Sequence, residues 1–141
     1  MSQGVTISSA RQKPPLASCR RWRKAVKVLV VDGEADVLIP TVEMFKVMGY
    51  DTMAAGTGEE ALALVRTHPH LSVLVTEVDM EPMDGVTLAR QARRLVPAIK
   101  VVLVSAFPTS TMDRLHGAPE EDFHLLPKPL QLSEVAIVLR R

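Results

Sequence analysis

Beyond residue 25 the chain is punctuated by short apolar runs, each ending on a polar side chain. "VKVLVV" stops at Asp32, "LSVLVT" at Glu77 and "VVLV" at Ser105, while the weaker "FHLLP" leads into Lys128. Short and rich in β-branched residues, these runs read as strands. "YDTMAA" is a fifth candidate, following a helix that stops at Gly49. Between the runs the apolar period lengthens to three and four residues, the helical spacing. Residues 35–48 place Val37, Thr41, Met44, Phe45 and Met48 on one face. Pro40 lies inside this stretch, where its missing N–H predicts a kink. "GTGEEALALVRTH" predicts a helix capped by Thr57 and ended before Pro69. "DGVTLARQARRLV" predicts another, entered through an Asp84–Gly85 turn and stopped before Pro97. A short helix is expected near 110–116 and a last one near 132–140.

Strand and helix therefore alternate five times, without an internal repeat. That order predicts an α/β domain over residues 26–141, a parallel sheet with helices on both faces and right-handed crossovers. Nearly continuous apolar strands agree with a sheet buried on both sides.

In an open parallel sheet, ligands bind outside the carboxyl ends of the strands. The residues at four such ends are Asp32, Glu77, Ser105 and Lys128, so two acids, a hydroxyl and an ammonium are expected at one sheet edge. Their shared position carries more weight than any one of them. Paired carboxylates suit a hard divalent cation such as Mg²⁺. A metal and an ammonium can neutralise a phosphoryl group from two sides while a hydroxyl donates to a third oxygen. A carboxylate could then accept that group as an acyl phosphate. Each residue also has a plainer reading: Asp32 as a helix cap, Ser105 as a loop hydroxyl, Lys128 as a surface cation.

Charge changes the picture at the N-terminus. Residues 1–31 hold seven basic residues and no acid, whereas the other 110 hold ten basic and sixteen acidic ones, a net of −6. An acidic body thus carries a basic arm, residues 1–25, which lacks periodicity and contains a Pro–Pro pair. Its "RRWRK" could touch phosphates, with Trp22 free to stack, so nucleic-acid binding through the arm is one function class to test. A solvated tail is the plainer expectation. A lone Cys19 excludes an internal disulfide, and no Cys/His group has metal-site spacing. No apolar run approaches the roughly 18 residues of a membrane span, and no secretory signal is visible. A cytoplasmic, membrane-free protein is expected.

Taken in order, "VLVVDGE", "VTEVDMEPMDG", "VLVSA" and "LPKPL" resemble the receiver domain of two-component response regulators. The resemblance spans about residues 26–141. It implies a flavodoxin-like (βα)5 fold with a doubly wound, five-stranded parallel sheet, and Mg²⁺-dependent transfer of phosphate from a histidine kinase to an aspartate. Asp32 then matches the first of two adjacent family acids, and the second falls on Gly33. Glu77 occupies the phospho-acceptor position, eight residues before Gly85 of "MDG". Ser105 matches the switch hydroxyl, Ala106 the small residue after it, and Lys128 the lysine that contacts the phosphoryl group. Pro129 implies the family's cis Lys–Pro bond. Leu125 stands where the family has its aromatic switch. By the same resemblance, Asp79 offers a backbone carbonyl to the metal.

Two departures alter what this implies. Gly33 removes a carboxylate, which weakens Mg²⁺ binding unless Glu34 compensates. Glu77 is one methylene longer than aspartate, and a misplacement of about 1 Å can cost a hundredfold in rate. The expectation is therefore a pseudo-receiver in which Glu77 is a fixed partner of Lys128 and the domain acts by contact with a histidine kinase, an output protein or a second copy. The alternative is a working receiver that accepts phosphate on Glu77 or, two residues on, Asp79. Neither reading makes the chain an enzyme on an external substrate. No output domain follows Arg141; a complete chain would act by contact, a fragment through an effector downstream. A flavodoxin-like electron carrier is disfavoured, because "DGEADV" is not a Ser/Thr- and Gly-rich phosphate loop.

Overall fold

The computed structural model describes residues 26–115 and 122–140. The basic arm, with Cys19 and Trp22, lies outside them, as do His116, Glu120 and Glu121. Five strands, β1 (Lys27–Val31), β2 (Asp51–Ala55), β3 (Leu71–Glu77), β4 (Lys100–Ser105) and β5 (Phe123–Pro127), alternate with five helices. The helices are α1 (Ala35–Val47), α2 (Gly58–Thr67), α3 (Gly85–Leu95), α4 (Pro108–Leu115) and α5 (Leu132–Arg140). The sheet order is β2-β1-β3-β4-β5, and every pairing is parallel. This is the flavodoxin-like (βα)5 architecture expected from the sequence. Among the described residues no helix is long and apolar enough to cross a membrane.

The strand runs lack polar interruptions because both faces are covered. Along β1, Leu29 and Val31 enter a cluster with Ala61, Leu62 and Val65 of α2 and Leu88, Ala89 and Ala92 of α3. The alternate residues Val28 and Val30 enter a second cluster with Val42 and Phe45 of α1 and Val135 and Val138 of α5. A two-residue strand period thus serves two helical layers.

Helix ends follow the local chemistry. Thr57 caps α2 by accepting from Glu60 N–H, and Glu60 reaches back to Gly56 N–H. Asp84 caps α3 through Thr87 N–H at 2.8 Å. Gly49, at φ 95°, closes α1: its N–H donates to Lys46 O while Tyr50 N–H donates to Phe45 O, a paired C-terminal cap that favours glycine. Pro40 lies inside α1, which continues through it as one helix of 13 residues. The short helix expected near 110–116 starts at Pro108, a position where a missing N–H costs nothing.

One glycine sets the site's geometry. At Gly85 a Cβ would overlap the carbonyl oxygen of Glu77 and lie 2.9 Å from Val78 Cα. Its N–H donates to Val78 O at 2.8 Å, so α3 begins pressed against the end of β3. We expect Gly85→Ala to lower stability by about 2 kcal/mol through overpacking, read as a shifted urea midpoint. A midpoint equal to that of the native chain would show that the contact yields freely.

Candidate functional site at the carboxyl edge of the sheet

Asp32, directly after β1, is buried, with 5% of its surface exposed. Its Oδ1 accepts Glu34 N–H at 2.9 Å, an Asx-type turn that lifts the chain from strand into α1. The helix cap position falls on Glu34, whose side chain makes no capping bond. Asp32 is therefore not itself the cap. Glu34's carboxylate lies with those of Asp32 and Glu77, one oxygen from each falling within 4.8 Å of the others.

Glu77 ends β3, and Lys128 follows β5, held there by its N–H donating to Ser105 O at 2.9 Å. The Lys128–Pro129 bond is cis. Lys128 Nζ donates to Glu77 Oε1 at 2.7 Å and lies 3.3 Å from Asp32 Oδ2. Glu77's other oxygen, Oε2, accepts Gly33 N–H at 3.0 Å. All four oxygens of the Asp32–Glu77 pair thus meet donors or a cation supplied by the chain itself.

Protonation follows from this arrangement. Burial raises the pKa of Asp32, and the Glu77 charge beside it adds to the rise, outweighing the Glu34 N–H. Burial would raise Glu77 too, but the hydrogen bonds from Lys128 and Gly33 prevail and hold it below its usual value. Burial would lower Lys128, yet the Glu77 hydrogen bond and the Asp32 charge prevail and raise it.

The other expected residues are placed less centrally. Ser105 is buried at the end of β4, and its Oγ accepts from Phe107 N–H at 2.9 Å and from Thr111 Oγ1 at 3.0 Å. Its hydroxyl is engaged by the start of α4 rather than by the carboxylates. Asp79 is exposed, two residues past the last residue of β3, and its carboxylate is not in the acidic trio. Ala106 is exposed, while Leu125 is half-buried against the cluster holding Leu29. Gly33 is exposed, and a Cβ there would meet Glu77 Oε2 at an ordinary 3.7 Å. Beside the acids opens a cavity of about 530 Å³ between α1 and the loop after β5, walled chiefly by apolar side chains.

Sequence reasoning missed two contributors. The Gly33 N–H is a backbone donor that no side-chain motif announces. Thr111, a buried threonine six residues beyond Ser105, has no distinguishing spacing.

The donor set is all oxygen, the chemistry a Mg²⁺ ion prefers, and Asp32, Glu34 and Glu77 are the residues that would hold one. Lys128 already neutralises part of their charge.

Comparison with known proteins identifies the family and the fold. The family model described as "Response regulator receiver domain" matches residues 28–140. The sensor kinase CckA of Brucella abortus is 32% identical over 114 residues, 80% of this chain but 12% of its own length. The response regulator receiver protein CpdR of the same organism is 27% identical over 109 residues, 77% of this chain and 89% of CpdR. Among solved structures, the receiver domain of the hybrid histidine kinase CckA aligns with a TM-score of 0.68 at 25% identity, covering 81% of this chain and 95% of that one. Vibrio cholerae chemotaxis protein CheY4, at 21% identity, shares the fold with a TM-score of 0.72 over 82% of this chain and 97% of its own. The chain spans about half the length of transcriptional regulators such as PrrA.

The pKa directions set a testable pH dependence. Glu77, depressed, contributes stability above its unfolded value that is lost as pH falls through its folded one. Lys128, raised, contributes below its unfolded value and loses that contribution as alkali passes its folded one. Asp32, raised, has the opposite sign from Glu77: its ionisation opposes folding as pH rises through its folded pKa. At neutral pH Lys128→Met should therefore cost about 2 kcal/mol, below the 3–5 of a fully buried pair because Lys128 is partly exposed. That deficit should shrink in acid, as Asp32 protonates and the carboxylates cease to repel. Urea unfolding across the pH range measures it; a deficit independent of pH would show that the triad is not the cause.

Proposed function

Because the chain belongs to the response regulator receiver domain family of two-component signalling, we propose that it is a receiver held in one conformation by its own ion triad, signalling by contact rather than by accepting phosphate. The observation that carries this reading is the engagement of Glu77: Oε1 on Lys128 at 2.7 Å and Oε2 on Gly33 N–H at 3.0 Å. A nucleophile needs a free lone pair and room in front of it. Here the extra methylene carries the carboxylate onto Lys128, the group that would otherwise meet a phosphoryl oxygen. The electrostatic change that phosphorylation brings, an anion beside the lysine, is permanently supplied by Glu77.

On this reading the protein is not an enzyme for an external substrate, and its partners are a histidine kinase or an output protein in the cytoplasm. Half-buried Leu125 agrees, because it offers no aromatic ring to change rotamer. Mg²⁺ binding is weak on the same reading, since Gly33 supplies no carboxylate and Lys128 competes for the pair. When bound, such an ion would supply positive charge to phosphoryl oxygens. Glu34's position favours some residual affinity.

A small phosphoryl donor with Mg²⁺, followed by intact-mass measurement, tests the proposal. We expect no phosphate on the native chain. Glu77→Asp combined with Gly33→Asp should accept it, because the longer acid is withdrawn from Lys128 and the missing metal ligand returns. Phosphate on the native protein, mapped to Glu77 or Asp79, would restore the working-receiver reading. A separate titration should show Gly33→Asp alone binding Mg²⁺ severalfold more tightly than the native chain, since a Cβ there makes only ordinary contacts, 3.7 Å from Glu77 Oε2.

A further inference from the structure

The cavity beside the acidic edge has an unusual pairing of walls and rim. Its walls are apolar, with Pro40 and Met44 of α1 on one side and Leu130 on the other, over a floor that includes Val75 of β3. Its rim carries Asp32, Asp36 and Glu77 against a single cation, Lys128. About 530 Å³ is the size of a ligand site, and the rim is net negative. An occupant should therefore be basic, with apolar side chains or prolines interspersed, and short enough in cross-section to lie between α1 and the loop after β5.

The chain itself contains such a segment. Residues 1–25 hold six cations, Arg11, Lys13, Arg20, Arg21, Arg23 and Lys24, and no carboxylate. Between and beside them stand Pro14, Pro15, Leu16 and Trp22. The point of attachment is favourable. Val26, the first described residue, packs against the cluster of Val30, Phe45 and Val75, the sheet face over which the cavity opens. From there to Asp32 is a strand's length, roughly 20 Å, whereas 25 extended residues reach roughly 80 Å. Tethering also places the arm at an effective concentration of about millimolar, so that a weak contact suffices.

We propose that the acid-rimmed groove between α1 and the β5–α5 loop is a docking surface for a basic, apolar-studded peptide, and that residues 1–25 of the same chain are its resident occupant. The cations meet Asp36 and the carboxyl edge, and the Trp22 or Pro–Pro–Leu side chains enter the apolar trough. This does not depend on whether Glu77 accepts phosphate.

The chain carries its own reporters, because Trp22 is its single tryptophan and Cys19 its single cysteine, both in the arm. In the full-length protein at low salt, Trp22 emission should be blue-shifted and its acrylamide quenching severalfold weaker than in a peptide of residues 1–25. Raising salt to about 1 M, where the Debye length is about 3 Å, should largely remove the protection. Asp36→Lys should do the same at low salt. Pro40→Lys, an exposed and helix-favouring change whose folding is not at risk, adds a cation to the groove wall and should also weaken the protection of Trp22. A nitroxide on Cys19 should broaden the amide signals of Thr41, Met44 and Leu130. Trp22 quenched as freely as in the peptide would overturn the proposal. So would broadening that appears only between labelled and unlabelled molecules in a mixture, which would make the occupant a second copy's arm.

Discussion

Lys128 stands between Glu77 and Asp32 although the three residues come from strands that are not all neighbours. Glu77 ends β3 and Asp32 follows the adjacent β1, but Lys128 follows β5, with β4 lying between β5 and β3. The ammonium therefore bridges over a strand, and its position depends on the parallel sheet delivering every carboxyl end to one edge. Two of those ends bring negative charge into a largely buried space. Without the lysine they would repel each other at close range; with it, Glu77 is held below its usual pKa while burial still raises Asp32, and each oxygen has a partner. The backbone contributes as well, through the N–H groups of Gly33 and Glu34. What looks in sequence like four separated polar residues is, in space, one electrostatic unit.

Much of this was legible in the sequence because its causes are local or periodic. Uninterrupted β-branched runs announced strands covered on both faces, and polar residues closing those runs announced the edge. Thr57 and Asp84 are caps for reasons visible three residues along the chain. Asp32, Glu77 and Lys128 meet as the spacing suggested. Ser105 reached the edge, but its hydroxyl turned to Thr111 and Phe107, because partner choice depends on how α4 packs, and no spacing encodes that. Pro40 was read as lying inside a helix, and α1 does run through it, anchored by the buried Val42 and Phe45. Leu125 was read for the aromatic it lacks; its packing against the Leu29 cluster is a tertiary fact.

On the reading proposed above, the length of one side chain governs the chemistry of the site more than its charge does. Glutamate and aspartate are equally anionic, but a nucleophile must stop short of the cation that will later hold the transferred group. Glu77 does not stop short. The result is a carboxylate serving as a structural acid, tied at both oxygens, in a place where the fold also assembles two further acids and an exposed mouth.

The contrast between Gly33 and Gly85 bears on how such a site can change over time. At Gly85 the approach of β3 backbone leaves no volume for any side chain, so that position is locked by the fold. At Gly33 a Cβ would make only ordinary contacts, 3.7 Å from Glu77 Oε2 and 4.0 Å from Gly56 O. Position 33 can therefore gain or lose a side chain, and with it a charge beside Glu77, without displacing the backbone, whereas position 85 cannot.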